Sequence, residues 1–205
     1  DFFLFKVHDN ESLREDVNNI TQDDIQSGNY FYPVTTFVSD MSYLFASDWN
    51  EDMPSENIPF LSLLTGNYPV WDYSNVINME AMFKQNTQPI NIDFSKWDVS
   101  NVTNMKLMFY ASNTALWSIT DNPSLFSTWD VSNVTNMEFM FADQGMQYPY
   151  PGQNLFININ NWDTSKVTNC NYFYSARREY RDDSWKIFMN NYNEFVDKIE
   201  RINLR

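Results

Sequence analysis

Apolar and polar side chains follow one recurring pattern through the middle of the chain. Four copies start with Trp-Asp: WDYSNVINMEAMF at Trp71, WDVSNVTNMKLMF at Trp97, WDVSNVTNMEFMF at Trp129 and WDTSKVTNCNYFY at Trp162. A fifth, weaker copy, VSDMSYLF, lacks the Trp-Asp pair. The anchor valines of the copies are Val38, Val76, Val102, Val134 and Val167. The shortest step between anchors, 26 residues, is the length we assign to the unit, and longer steps indicate insertions.

Two periods within a copy predict two elements. Trp97 and Val99 are two residues apart, as side chains on one face of a strand are. Residues 102–109 carry apolar side chains spaced three and four apart, which predicts a helix of about two turns. Ser100 and Asn101, between them, are typical N-cap residues. Elements this short are unstable alone, so the pattern predicts that neighbouring units stack.

Stacking would align equivalent side chains into rows. The apolar rows predict a core, in which methionine fills gaps and Cys170 replaces a methionine as a buried, inert thiol. A polar row predicts a solvated outer face of the helices. The predicted core rows are Val38/Val76/Val102/Val134/Val167, Met41/Met79/Met105/Met137/Cys170, Leu44/Met82/Met108/Met140/Phe173 and Phe45/Phe83/Phe109/Phe141/Tyr174, and the polar row is Ser42/Glu80/Lys106/Glu138/Asn171.

The two ends differ from the repeats. Residues 11–20 predict a helix with Leu13, Val17 and Ile20 on one face, and the segment from Ser184 predicts a longer amphipathic helix. The domain organisation is therefore an N-terminal segment with a helical cap (1–33), a five-unit array (34–176) and a C-terminal helical cap (177–205). An alternative role for the C-terminal helix is to dock a partner helix or a further domain.

Three insertions, at 47–68, 112–124 and 143–154, collect proline and short polar residues, which predicts loops. Because loops of this kind are not needed for stacking, their aromatic residues Trp49, Tyr148 and Tyr150 are candidate binding residues.

Composition narrows the classes of function. The chain has 205 residues and a net charge of −14, which argues against nucleic acid and anionic membranes as partners. Residues 177–205 carry a net charge of +1, so the acidic character belongs to the rest of the chain. An apolar content of 43% excludes a disordered chain, and no apolar run is long enough to span a membrane. The start DFFLFKV resembles a trimmed start rather than a signal peptide, and a single cysteine excludes an internal disulfide framework.

The sequence contains few of the residues that catalytic sites commonly use. His8 is the only histidine, and with four glycines the chain has no phosphate-binding glycine-rich motif. We therefore expect no catalytic function and no cofactor.

Two rows attract a chemical interpretation. The Asp ladder (Asp72, Asp98, Asp130 and Asp163) could line a divalent-cation site, but an Asx turn in each D-x-S sequence is the favoured interpretation. The Trp ladder (Trp71, Trp97, Trp129 and Trp162) could face the core or form an outward strip that stacks on sugars or proteins, and the inward orientation is favoured because an exposed strip would be a large apolar patch. The Asn-Val-Thr sequons at Asn101 and Asn133 are explained by the repeat, so they support glycosylation only weakly, as do those at Asn10 and Asn19.

The motif WDVSNVTNM, followed by a Met-Phe pair, resembles the BspA-like surface-protein repeat, once called the mycoplasma lipoprotein repeat, and the resemblance runs from Val34 to about Ala176. It implies an α/β solenoid, an irregular leucine-rich-repeat-like stack of short parallel strands and short helices, capped by helices at both ends. It also implies adhesion or protein interaction, on bacterial surfaces, in protists or in large DNA viruses or phages.

The long insertions and few copies depart from that family and favour a tailored assembly role. We therefore predict a non-enzymatic protein-interaction or structural solenoid of a cell surface or virion, whose partners are other subunits of an assembly or a host surface protein. The alternative is a carbohydrate-binding adhesin module that uses an aromatic strip to bind a glycan.

Overall fold

The computed structural model describes residues 5–27, 32–47, 71–86, 92–112, 124–142, 159 and 161–173. The predicted C-terminal helix, most of the three insertions and the candidate residues Trp49, Tyr148 and Tyr150 lie outside the described residues.

The N-terminal segment forms two strands and two helices. Strand β1 (Phe5–Val7) is followed by α1 (Asn10–Asn19), α2 (Gln22–Ser27) and β2 (Tyr32–Val34). The two strands pair in parallel, with the central pair joining Lys6 and Pro33. Helix α1 covers nearly the stretch that the apolar spacing predicts.

Local chemistry explains why α1 begins where it does. Asp9 is the N-cap: its carboxylate accepts the Ser12 N–H at 2.9 Å, and the Ser12 hydroxyl accepts the Asp9 N–H at 3.0 Å. This capping box satisfies backbone N–H groups that the first turn leaves without partners. Leu13 and Val17, one turn apart, are buried, so one face of α1 packs on the core.

The repeats lie side by side in chain order. One residue in each repeat, two positions after the anchor valine, forms a parallel bridge to its equivalent in the next repeat, and we call this set the asparagine row. The bridges are Asp40–Asn78, Asn78–Asn104, Asn104–Asn136 and Asn136–Asn169.

In the residues that follow each bridge, the backbone hydrogen bonds between repeats mainly have their donor in the earlier repeat and their acceptor in the later one. The N–H groups of alternate residues, from the third after the anchor onward, donate to carbonyl groups of the next repeat. Between the second and third repeats the donor–acceptor pairs are Met79–Asn104, Ala81–Lys106, Phe83–Met108 and Gln85–Tyr110, at 2.8–2.9 Å.

The two elements predicted within each repeat are not formed in the described residues. Trp97 follows a short 3-10 helix (Phe94–Lys96) and lies outside any strand, and residues 102–109 form turns instead of a helix. One reason is the left-handed backbone at Leu107, with φ of 57°, which interrupts a right-handed helix. The N–H groups that a helix would use internally serve instead to join repeats.

The predicted apolar rows do form a common core. The Phe row is the clearest case, because the rings of Phe45, Phe83, Phe109 and Phe141 stack at centroid distances of 5.3–5.5 Å. The valine anchors and the four methionines of the Met row are buried, whereas Cys170 is only half-buried. Partial burial raises the pKa of the Cys170 thiol, which disfavours its reactive thiolate form. The fifth member of the Phe row, Tyr174, lies outside the described residues.

The predicted outer polar row is less exposed than expected. Only Asn171 of this row is exposed, and Ser42, Glu80, Lys106 and Glu138 are half-buried. The reason is contact between neighbouring repeats: Lys106 Nζ lies 2.9 Å from Glu138 Oε2.

Candidate functional site

The Trp ladder faces the core. Trp97, Trp129 and Trp162 are 8%, 3% and 1% exposed, and Trp71 is half-buried. The Trp129 and Trp162 rings are nearly parallel, with centroids 6.3 Å apart. Each of these two also donates its indole N–H, at 2.8 Å, to a backbone carbonyl of the preceding repeat, at Phe94 and Phe126 respectively. Three of the four tryptophans are therefore buried in the core, as the favoured inward orientation predicts.

The carbonyl acceptors belong to a core row that sequence reasoning missed. Phe94 and Phe126 are fully buried, stack at 5.4 Å, and each precedes a ladder tryptophan by three residues. The sequence feature that could have revealed this row is the similarity of the segments FSKWD and FSTWD, which places a phenylalanine three residues before each tryptophan.

The carboxylates of the Asp ladder accept hydrogen bonds within turns. Asp72, Asp98, Asp130 and Asp163 each accept, through Oδ1, the N–H of the serine two residues later, at 2.9–3.1 Å. Hydrogen bonds from the side chain and backbone of that serine hold the pKa of Asp72 below its ordinary value, and the same is true of Asp130. Within the described ranges, no three His, Cys, Asp or Glu side chains group together as a metal site would require.

A second turn in each repeat was also missed. In the asparagine row, Oδ1 of each side chain accepts the N–H of the residue two positions later, as in Asn104 to Lys106 at 3.1 Å. Every copy has Asn or Asp at this position, which was a usable signal. The assumed helix concealed it, because mid-helix positions do not call for a turn-forming side chain.

The sequon asparagines join repeats. The side-chain amides of Asn101 and Asn133 donate to the backbone carbonyls of Ser74 and Ser100 in the preceding repeat, at 2.7 Å in both cases. The nitrogen that a glycan would occupy is thus engaged in stacking the array.

His8 belongs to an ion-pair cluster at the N-terminal end. His8 is 1% exposed and its Nε2 lies 2.9 Å from Asp16 Oδ2, while Lys6 Nζ lies 2.7 Å from both Asp16 carboxylate oxygens. Burial opposes ionisation of Asp16, but the hydrogen bonds from Lys6 and His8 outweigh it and hold the pKa of Asp16 below its ordinary value. The cluster ties β1 to α1.

One row does point outward. The fifth residue after each anchor has a left-handed backbone, and most of these side chains are large and apolar. We call this the outward row, and its members are Tyr43, Ala81, Leu107, Phe139 and Tyr172. Tyr43 and Tyr172 are 48% and 62% exposed, Leu107 and Phe139 are half-buried, and Ala81 is buried.

Aromatic rings meet at the C-terminal end of this row. Phe139 and Tyr172 stack with centroids 4.9 Å apart and ring planes 14° apart, and Tyr110 approaches Phe139 edge-on at 6.2 Å. No ladder of this kind was predicted, since the outward row was hidden within the assumed helix.

Comparison with known proteins gives a family. A family model described as "Mycoplasma protein of unknown function, DUF285" matches residues 12–121 and 118–202. The chain belongs to this family. The two matched stretches together run from α1 to residue 202 and so include all five repeats. No curated protein and no solved structure matches the chain. In the part of the chain that the structure describes, no helix has the length and apolar character needed to cross a membrane.

Proposed function

We propose that the protein is a non-enzymatic, protein-binding scaffold of the BspA-like kind and a component of a cell-surface or virion assembly. The observation that carries this proposal is that the rows of equivalent side chains fall into three kinds, which are buried, turn-forming or exposed. Three of the four ladder tryptophans and the valine, methionine and phenylalanine rows are buried, aspartate and asparagine rows form turns, and the outward row leaves aromatic side chains exposed.

The proposed architecture is an irregular leucine-rich-repeat-like solenoid. The support is that each repeat bonds to the next through the same backbone positions, so that stacking generates the core. Helix α1 supports the capped form, because Arg14 Nη1 donates to the Ser42 carbonyl of the first repeat.

A glycan-binding function draws less support. Its proposed strip was the Trp ladder, and the rings of Trp97, Trp129 and Trp162 are buried. Protein partners fit the outward row better, since exposed aromatic residues are typical anchors of protein interfaces.

Site-specific photo-cross-linking tests the proposed function. A photoreactive amino acid is placed at Tyr172 in the full chain, and cells or particles that carry the protein are irradiated. We expect a discrete cross-linked protein species, because Tyr172 is 62% exposed on the outward row.

The matched control places the same photoreactive group at Glu15, which is exposed on α1 and lies outside the outward row. An equal yield at both positions would indicate random collision. Specific binding on a glycan array together with no cross-linked protein would contradict the scaffold proposal.

A further inference from the structure

The backbone of the outward row is strained at every repeat. Its five residues have φ between 54° and 59°, a region where a β-carbon is unfavourable and glycine is the natural choice. The chain nevertheless has Tyr, Ala, Leu, Phe and Tyr at these positions. The repeats therefore retain side chains where the backbone alone would favour glycine.

Core packing does not explain the large side chains at the two ends of the outward row. Val102, Met105 and Phe109 of the third repeat are completely buried, whereas Tyr43 and Tyr172 of the outward row remain about half or more exposed. Strained positions that contribute little to the core are a known feature of binding sites.

The outward row is continuous across neighbouring repeats. The N–H of Leu107 donates to the Glu138 carbonyl, and the N–H of Phe139 donates to the Asn171 carbonyl, at 2.9 and 3.0 Å. Each outward residue is thereby fixed beside the one that follows in the next repeat. At the C-terminal end, the stacked Phe139 and Tyr172 rings form an aromatic platform.

The charged side chains that the structure describes in the polar row beside the platform are acidic on balance. Glu138 immediately precedes Phe139 and pairs with Lys106 of the same polar row, so that Glu80 is the charge in excess within this row. The whole chain carries a charge of −14. Aromatic faces themselves attract cations, and the planar guanidinium of arginine both stacks on rings and pairs with carboxylates.

We propose that the outward row binds an arginine-bearing, basic segment of a partner protein, with a guanidinium stacked on the Phe139–Tyr172 platform. This inference rests on the proposed scaffold function and specifies the chemistry of its partner.

Peptide binding to the full chain provides the test. Fluorescence anisotropy compares a labelled peptide of alternating Arg and Gly with a matched peptide of alternating Lys and Gly, at about physiological ionic strength so that long-range attraction is screened. We expect the arginine peptide to bind roughly 5-fold more tightly, because lysine lacks the planar group that stacks.

The variants Tyr172→Gly and Phe139→Gly separate binding from folding. Glycine removes the ring and relieves the left-handed strain, which offsets part of the lost ring packing, so each variant should keep a cooperative melting transition while affinity for the arginine peptide falls roughly 5-fold. Phe37→Ser is the matched control, since Phe37 is 71% exposed and lies outside the outward row. Its affinity should equal that of the wild type.

Two results would overturn the inference. One is equal affinity for the lysine and arginine peptides, or unchanged affinity in both glycine variants, which would leave only general charge attraction. The other is self-association of the chain that Tyr172→Gly abolishes, which would make a second copy the occupant. Either result leaves the cross-linking test of the scaffold function intact, so the two failures are distinguishable.

Discussion

Short polar side chains shape the backbone of each repeat. The carboxylate of Asp98 accepts the Ser100 N–H at 3.1 Å, and Asn104 does the same for the Lys106 N–H. A side chain that binds the backbone two residues later mimics a backbone turn, so it competes with helix formation. With two such turns per repeat, the chain can reverse direction with few glycines.

Left-handed alanines provide a clean test of the strain in these turns. Ala111 has φ of 52°, and we expect Ala111→Gly to raise the free energy of unfolding by about 0.5 kcal/mol. Relief of left-handed strain, roughly 1–2 kcal/mol, exceeds the entropy that glycine loses on folding, roughly 0.5–1 kcal/mol. Chemical denaturation measures the difference.

Ala46→Gly is the control, because Ala46 is half-buried and is not among the residues with positive φ. There the entropic cost acts alone, so this variant should lose roughly 0.5–1 kcal/mol. Destabilisation of similar size in both variants would show that the Ala111 conformation is unstrained.

Residue-level patterns predicted burial better than conformation. The positions of Val102, Met105 and Phe109 in the core follow from their apolar character in every copy, whichever backbone they adopt. The helix did not follow, since a spacing of three residues also arises in tight turns, such as the one closed by the Met108 N–H and the Met105 carbonyl. The orientation of Trp97 depended on neighbours that a single repeat does not reveal.

At the scale of elements, α1 closes the first repeat. Asn10 Oδ1 accepts the N–H groups of Ser39 and Asp40, at 2.9 and 3.1 Å, and Arg14 pairs with Asp40 at 3.2 Å. The helix therefore supplies polar partners to backbone that has no earlier repeat to bond with. Such capping is what an array of stacked repeats needs at its end.

Loss of this contact should loosen the first repeat. We expect Asn10→Ala to reduce the free energy of unfolding by about 1–2 kcal/mol, because two partly buried N–H groups lose their acceptor. Amide hydrogen exchange at Ser39 and Asp40 should accelerate. Glu15→Ala, on the exposed side of the same helix, should leave the free energy of unfolding and the two exchange rates unchanged. Equal acceleration of exchange in the two variants would contradict the capping role.

The elements were unequally predictable. Helix α1 carries its own signals, a capping residue and an apolar stripe, and the sequence shows both. Strands β1 and β2 are three residues each and β2 contains Pro33, so they are defined by pairing across a helical connection rather than by a local pattern.

At the scale of the whole molecule, the carboxylate turns link stability to pH. The pKa of Asp72 is lowered in the folded chain by hydrogen bonds from Ser74, so its ionised form favours folding. That contribution is fully present above the pH range in which ordinary aspartates titrate, and it is lost as the pH falls through the folded-state pKa.

Thermal unfolding of Asp72→Asn across pH 7 to pH 3 tests this linkage. The wild type should be the more stable at neutral pH, and the difference should shrink as the pH falls. Glu15→Gln is the control, because it removes the same charge from an exposed position outside the Asx turns. Its effect on stability measures how much is gained by reducing repulsion among the acidic side chains of the chain. A difference independent of pH would exclude a titrating turn.

The mainly one-way backbone bonding gives the two sides of each described repeat different hydrogen-bonding character. From the third residue after each anchor onward, alternate N–H groups donate to the following repeat, whose carbonyl groups accept them. Two copies joined by a continuation of this bonding would present mainly donors on one copy and acceptors on the other, so that contact would not be two-fold symmetric. Association of that kind would be heterologous, and it would extend as a filament unless its geometry closed a ring.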